Sequence, residues 1–287
     1  MLAYDSLAAH YDAVTGDSAT ETSFVSGIIE RARPGAVTLL EVACGTGAVI
    51  APLAARYQVS GLDISPAMLA IARERLPGGA PLYLADMSRF ELSVTFDAIV
   101  CVYHGINHLL DFSEWESFFD CAYRHLNDGG VLIFDIITID SLKMMARTPQ
   151  PTQQFGDNYL LTRVRATGQG VFDWDIEVCE LQPSGTYMLL TDVIRTASFP
   201  HDKIREALSR RFSSIVTIDS DGGVVNDDGE NRTWFVCTKP GREGGGARPA
   251  AGCTGRRGAT GQRPPGLAVS PVAGDAGDRL AAKAETA

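Results

Sequence analysis

No stretch of the chain approaches the run of about 18 apolar residues that a membrane-crossing helix needs, so no span is expected. The N-terminus lacks the basic-then-apolar pattern of a secretion signal, and a cytoplasmic location is expected. Six cysteines are present, Cys44, Cys101, Cys121, Cys179, Cys237 and Cys253, but none forms a Cys-x-x-Cys pair. Most sit in apolar runs and read as reduced core residues, so neither a zinc site nor any other metal is expected. No long basic run occurs either, and the 287 residues carry a formal net charge of −10. An acidic surface is a poor grip for nucleic acid or an anionic membrane. What remains is an ordinary globular composition, 45% hydrophobic and 21% charged, enough for one large α/β domain or two small ones.

The chain is organised around residues 37–65, VTLLEVACGTGAVIAPLAARYQVSGLDIS. Val37-Thr38-Leu39-Leu40 has the length and branching of a buried strand. Glu41 follows, then a small-residue turn, Ala43-Cys44-Gly45-Thr46-Gly47, and a helical segment from about Ala48. A second strand, residues 58–62, ends on Asp63. Strand, glycine turn, helix, strand, acid is the layout of a βαβ unit that binds a ribose-bearing ligand. Gly45 and Gly47 let the backbone approach a ligand closely, and Asp63 is placed to accept from both ribose hydroxyls. A dinucleotide fingerprint needs a third glycine, where this chain has Ile50. Glu41, just before the turn, would repel a pyrophosphate and suit a cation. The balance tilts from a nicotinamide cofactor to S-adenosylmethionine, whose methionine end carries an ammonium and a sulfonium.

Glu41-Val42-Ala43-Cys44-Gly45-Thr46-Gly47 followed by Gly61-Leu62-Asp63-Ile64-Ser65 resembles the first two motifs of class I S-adenosylmethionine-dependent methyltransferases. The resemblance implies a Rossmann-like, doubly wound α/β fold: a seven-stranded sheet with helices on both faces, its final strand antiparallel. It extends over residues 1–239, with its specific motifs in 4–135. Within the family it is strongest to small-molecule enzymes of secondary metabolism such as sugar N-methyltransferases.

Taken in order, residues 1–33 read as two helices, the first holding Tyr4-Asp5-Ser6-Leu7-Ala8-Ala9-His10-Tyr11-Asp12 and the second spanning about 22–32. In the resembled family such a segment closes over the cofactor as a lid, with Tyr11 near the transferable methyl; Tyr4 and Tyr11 read equally well as packing residues of that lid. Ser65-Pro66 starts a helix with Met68, Leu69, Ile71 and Ala72 inward. A third strand, 82–87, holds Asp86, and a fourth, 96–102, is β-branched and buried. The resemblance sets Ile64 and Met68 against the adenine, Asp86 on its amino group and the Met87 N–H on the ring, and it also places Ala43 and Cys101 at the cofactor. Asp86 has a plain alternative as a cap for Ser88-Arg89-Phe90. Ser113 is the expected cap of the next helix, whose stripe includes Trp115, Phe118 and Phe119, and Asn127-Asp128-Gly129-Gly130 turns into a fifth strand, 131–137.

The loop Tyr103-His104-Gly105-Ile106-Asn107-His108 follows the fourth strand, where open α/β sheets bind ligands. His104 and His108 are the candidate bases, since histidine titrates near neutrality, though each also reads as a satisfied loop histidine. Tyr103 and Asn107 are candidates to orient the nucleophile. The Asn/Asp-Pro-Pro-Tyr signature of base methylation is absent. Residues 149–199 alternate as three antiparallel strands, 159–166, 171–181 and 186–199. The resemblance makes them an insert covering the substrate, with Trp174, Arg195 and the following His201 as candidate contacts. A helix at 201–211 and strands at 212–218 and 232–238 complete the sheet. From Gly241 the composition collapses into Gly, Ala, Pro and Arg and reads as disordered.

The domain reading is therefore a lid at 1–35, a cofactor domain at 36–148 and 200–240, an insert at 149–199 and a tail at 241–287. The expected partner is a small-molecule acceptor, nitrogen preferred over oxygen, and the expected assembly a monomer or homodimer. A nicotinamide oxidoreductase and a non-catalytic cofactor-binding protein are the alternatives.

Overall fold

The computed structural model describes residues 4, 7–168, 170–225 and 232–241. The expected disordered tail lies outside them, apart from Gly241. In chain order the elements are α1 (Tyr11–Thr15), α2 (Ala19–Ala32), β1 (Thr38–Val42), α3 (Ile50–Leu53), β2 (Gln58–Asp63), α4 (Pro66–Arg75), β3 (Leu82–Leu84) and β4 (Phe96–Cys101). A 3-10 turn (Gly105–His108) follows, then α5 (Phe112–His125), β5 (Leu126–Ile137), α6 (Ile139–Arg147), β6 (Gln153–Phe155), β7 (Asn158–Gly168), β8 (Val171–Leu181) and β9 (Tyr187–Ala197). The last are α7 (His201–Ser209), β10 (Ser214–Ile218) and β11 (Arg232–Thr238).

The main sheet has seven strands in the order β10-β11-β5-β4-β1-β2-β3. The β4-β1-β2-β3 and β4-β5 pairings are parallel, while β11 runs antiparallel to both β5 and β10. Apolar residues run almost unbroken along the central strands because both faces are covered. Leu40, Ile99, Cys101, Leu132 and Phe134 pack with Trp115, Phe118 and Phe119 of α5 and with Ile204 and Leu208 of α7. Their strand neighbours Leu39, Ala98, Val100, Val131 and Ile133 face the opposite way, onto Val25 and Ile29 of α2, Ile50 and Leu53 of α3, and Ala72 of α4. This is the doubly wound α/β fold expected from the sequence.

Several local expectations change. Residues 7–10 form turns instead of helix, Tyr4 has a left-handed backbone at φ 70°, and α1 begins only at Tyr11. The third strand stops at Leu84, because Asp86 accepts from the Ser88 N–H and hydroxyl, each at 2.8 Å, and this turns the chain. At α5, Glu114 reaches back to the N–H groups of Leu110 and Asp111, so the N-cap is Asp111 and not Ser113. The insert has four strands, β6-β7-β8-β9, instead of three. Helix α6, absent from the sequence reading, leads into it, with the Thr138 side chain capping the Ser141 N–H. The inner face of the insert packs Leu160, Val178 and Ile194 against Leu7, with Tyr4 and Val14 beside them. Of the cysteines, Cys44, Cys101, Cys121 and Cys237 are buried and Cys179 half-buried, all as free thiols; Cys253 is outside the described residues.

Candidate active site

The carboxyl ends of β1, β2 and β4 open into a cavity of about 590 Å³, within the range of small-molecule sites. Its floor is the turn after β1. Gly45 and Gly47 adopt φ 53° and 73°, and Ala43, with a Cβ, is held at φ 55°. Tyr4, Ala43, Tyr103 and His104 are the non-glycine residues with such a backbone among those described, and three of them line the cavity. Left-handed backbone at a residue with a side chain costs on the order of 1–3 kcal/mol, and such strain gathers at functional sites.

Asp63, at the tip of β2, clasps the floor: Oδ2 accepts the Gly45 N–H and Oδ1 the Ser65 N–H, each at 2.8 Å. Glu41 is only 2% exposed, lines the cavity, and its Oε2 has no hydrogen-bond partner. Burial and then the neighbouring Asp63 push its carboxyl well above the usual range, with the Ile50 N–H pulling the other way. Such surroundings favour the neutral acid, and a cation beside it would favour the charged form. Ile64, half-exposed, with Met68 and Met87, forms an apolar wall. Asp86 stands beside them. Burial opposes its charge, but the hydrogen bonds from Ser88 and Arg89 hold its carboxyl below the ordinary value.

The N-terminal segment adds to the lining. Tyr11 and Tyr4 both line the cavity, with their rings edge to face at 5.6 Å. Asp12 ties this segment down by pairing with Arg75 of α4 and accepting from the Thr46 hydroxyl of the glycine turn at 2.6 Å. Tyr103, His108, Val193 and Arg195 also line the cavity. Nδ1 of His108 lies 3.2 Å from the Arg195 carbonyl, and Nε2 lies 3.3 Å from the Tyr4 hydroxyl. A carbonyl only accepts, so the Nδ1 of His108 carries the proton and Nε2 is the basic atom. Burial lowers its pKa, and the bond to Arg195 opposes that shift in part. Burial raises the Tyr103 hydroxyl to about 12.

Thus Tyr11, Glu41, Ala43, Gly45, Asp63, Ile64, Met68, Asp86, Met87, Tyr103, His108 and Arg195 are gathered around one cavity. The remaining candidates lie outside it. Gly47 packs against α4, where a Cβ would come 3.3 Å from that of Ala72. Cys101 is fully buried in the sheet core. His104 turns away to Asp135, with Nε2 3.3 Å from Oδ2, and burial drives its pKa down to about 4 against the pull of that carboxylate. Asn107 is fully buried; its amide donates to Ile137 O and Ala197 O and accepts from Ile137 N. Trp174 gives its indole N–H to the Thr196 hydroxyl. His201 is buried edge-on to Phe235. Tyr4 was not singled out as a site residue. Its partner His108 is 104 positions away, and only folding joins them.

Residues 39–130 match a family model described as a methyltransferase domain. A dTDP-3-amino-3,6-dideoxy-alpha-D-glucopyranose N,N-dimethyltransferase of Streptomyces fradiae is 36% identical over 116 residues, 40% of this chain and 45% of that protein. A dTDP-4-amino-2,3,4,6-tetradeoxy-D-glucose N,N-dimethyltransferase of Saccharopolyspora spinosa is 34% identical over 44% of this chain and 52% of its own length. The chain spans about half the length of the curated relatives it matches. Among solved structures, the sugar N-methyltransferase of Streptoalloteichus sp. is 27% identical with a TM-score of 0.67, covering 80% of this chain and 91% of that one. An S-adenosylmethionine-bound amino pentose methyltransferase of Micromonospora echinaspora, involved in calicheamicin biosynthesis, is also 27% identical, with a TM-score of 0.65 over 80% and 95%. The fold is that of the class I S-adenosylmethionine-dependent methyltransferases, and the resemblance carried by residues 41–65 is to their small-molecule branch.

Proposed function

We propose that the protein transfers a methyl group from S-adenosylmethionine to the amine of a small sugar acceptor in secondary metabolism. The observation that carries this is Glu41, a buried acid lining the cavity with one oxygen unpartnered. It suits an ammonium and is hostile to a pyrophosphate, which counts against a nicotinamide cofactor. Strained residues and a basic imidazole nitrogen at the same cavity count against a purely binding role.

Bound here, S-adenosylmethionine supplies a methyl carbon activated by its sulfonium. The chain's own groups supply the rest. Asp63 accepts from the ribose hydroxyls, Glu41 faces the methionine ammonium, and Ile64, Met68, Asp86 and the Met87 N–H hold the adenine. Tyr11 and Tyr4 exclude water from above. Tyr103 and Arg195 orient the acceptor, whose amine lone pair forms the new C–N bond as the S–C bond breaks. The proton released from the amine goes to Nε2 of His108. The insert, 149–199, covers the acceptor, and its β9 contributes Val193 and Arg195.

The test is methyl transfer from labelled S-adenosylmethionine to dTDP-3-amino-3,6-dideoxyglucose, the kind of acceptor named for the Streptomyces fradiae relative. Label on the amine supports the reading. Label on a hydroxyl of that sugar would correct the nucleophile. No transfer to any amino sugar would remove the acceptor class.

A further inference from the structure

We infer that Arg232 is a positioning residue for the loop carrying Tyr103 and His108: acting through Asp135, it locks the left-handed turn at Tyr103-His104 and so fixes where those two cavity residues stand. What the loop positions rests on the methyl-transfer reading; the network itself does not.

The geometry runs through four elements. Tyr103 and His104 have φ 54° and 59°, a conformation that neither side chain favours and that needs an outside hold. Both oxygens of Asp135, on β5, lie 3.2 Å from the His104 N–H, and Oδ2 also lies 3.3 Å from the imidazole. Asp135 is fully buried, and a buried carboxylate acts as an anchor only where its charge is met. Arg232 lies on the adjacent antiparallel strand β11, diagonally from Asp135, which is opposite Trp234, and it donates Nε–H to Oδ2 at 2.7 Å. The far edge of the guanidinium pairs with Glu21 of α2, one contact being 3.1 Å. Its face lies over Trp234 and Tyr103, at 4.6 and 5.8 Å from the ring centroids. The same cation thus neutralises the anchor, touches the ring that lines the cavity, and ties the loop to α2.

The arrangement has little value as a stability device alone. A buried Arg–carboxylate set is at best neutral against apolar residues of like volume. Its distinctive product is a fixed loop. From there the 3-10 turn (Gly105–His108) carries His108 to the cavity wall, where Tyr4 and the Arg195 carbonyl receive it.

The experiment compares wild type, Arg232→Met and Arg232→Lys in the full-length protein. The imidazole of His104 is titrated by NMR, with His104→Gln to assign its signal. The charged groups facing it are Asp135 from β5, Arg232 from β11 and His108 from its own loop, with Glu21 behind Arg232; Arg195 and Tyr4 lie on the His108 side. Losing Arg232 leaves Asp135 uncompensated, so the His104 pKa rises by about one unit or more in Arg232→Met. Binding of S-adenosylhomocysteine, followed by calorimetry, stays at the wild-type value, while turnover of the amino sugar falls about ten- to a hundredfold. Arg232→Lys keeps the charge but not the fork; its His104 titrates as in wild type and its turnover lies between the two. If Arg232→Met fails to fold, Arg232→Lys alone decides: wild-type turnover there overturns the inference. So does Arg232→Met with an unmoved His104 titration and wild-type turnover. Failure of the wild type to bind S-adenosylhomocysteine would instead fell the methyl-transfer reading, and the His104 shift would still decide the network.

Discussion

Asp63 accepts the Gly45 N–H through one oxygen and the Ser65 N–H through the other, both at 2.8 Å, so one carboxylate joins the turn after β1 to the turn after β2. The ribose contact proposed for Asp63 would therefore draw on an acid that the backbone has already oriented. Asp63→Ala removes both the ligand's hydrogen bonds and the clasp. A charge-assisted hydrogen bond contributes about 1.5–3 kcal/mol, so affinity for S-adenosylhomocysteine should fall at least about tenfold. The thermal midpoint should also drop, which circular dichroism reads. Unaltered affinity in a folded variant would remove Asp63 from the ribose.

Glu41 gives a second expectation. Burial and Asp63 raise its pKa well above the ordinary carboxylate value, which favours its protonated form in the free protein. An ammonium arriving beside it favours the charged form and lowers that pKa. Binding should therefore release a proton. Calorimetry of S-adenosylhomocysteine in buffers of different ionisation enthalpy measures it, and Glu41→Gln should abolish it. No proton release, or net uptake, would mean that Glu41 does not meet the ammonium.

The residues that sequence order brings together were legible, and those that only folding brings together were not. Glu41, Gly45 and Asp63 fall within 23 positions, and their motif names both the strands and the ligand-facing turn. The seven-stranded sheet was implied by the family resemblance of residues 41–65, and the structure has it. His104 and His108 looked equivalent, yet the left-handed turn at Tyr103-His104 sends one to Asp135 and the other to the cavity. Asn107 read as a substrate contact, but its side chain bonds backbone 30 and 90 positions away. The fourth insert strand, β6, is three residues long, too short to show a period.

His108 supplies a pH expectation with a definite sign. Burial lowers its pKa, so it stays neutral, and basic at Nε2, to a pH below that of a free imidazole. The acidic limb of kcat/KM should fall below about 6.5, the ordinary histidine value. His108→Gln should reduce kcat by about a hundredfold or more with S-adenosylhomocysteine affinity kept. Unchanged turnover would mean that the amine loses its proton without this base. Stability follows the same direction at His104. Its folded pKa of about 4 is below the ordinary histidine value of 6.5, so its contribution is present above pH 6.5 and is lost as the pH falls toward 4. Denaturant melts from pH 7 to 4 read that loss, and His104→Gln should flatten it.

Asn107→Ala should act on stability and not on acceptor recognition. The Asn107 side chain satisfies Ile137 N and O and Ala197 O, joining β5 to β9. Leaving these three buried groups unpaired costs on the order of 3 kcal/mol, which lowers the thermal midpoint by on the order of 10 °C in a domain of this size. A raised acceptor KM with an unchanged midpoint would return Asn107 to the substrate.

The most direct measurement is calorimetric titration of the wild-type protein with S-adenosylhomocysteine, with NAD as the comparison. Micromolar or tighter binding of the first is expected, lost in Asp63→Ala, with no heat from NAD. Silence with S-adenosylhomocysteine together with saturable heat from NAD would contradict the cofactor assignment.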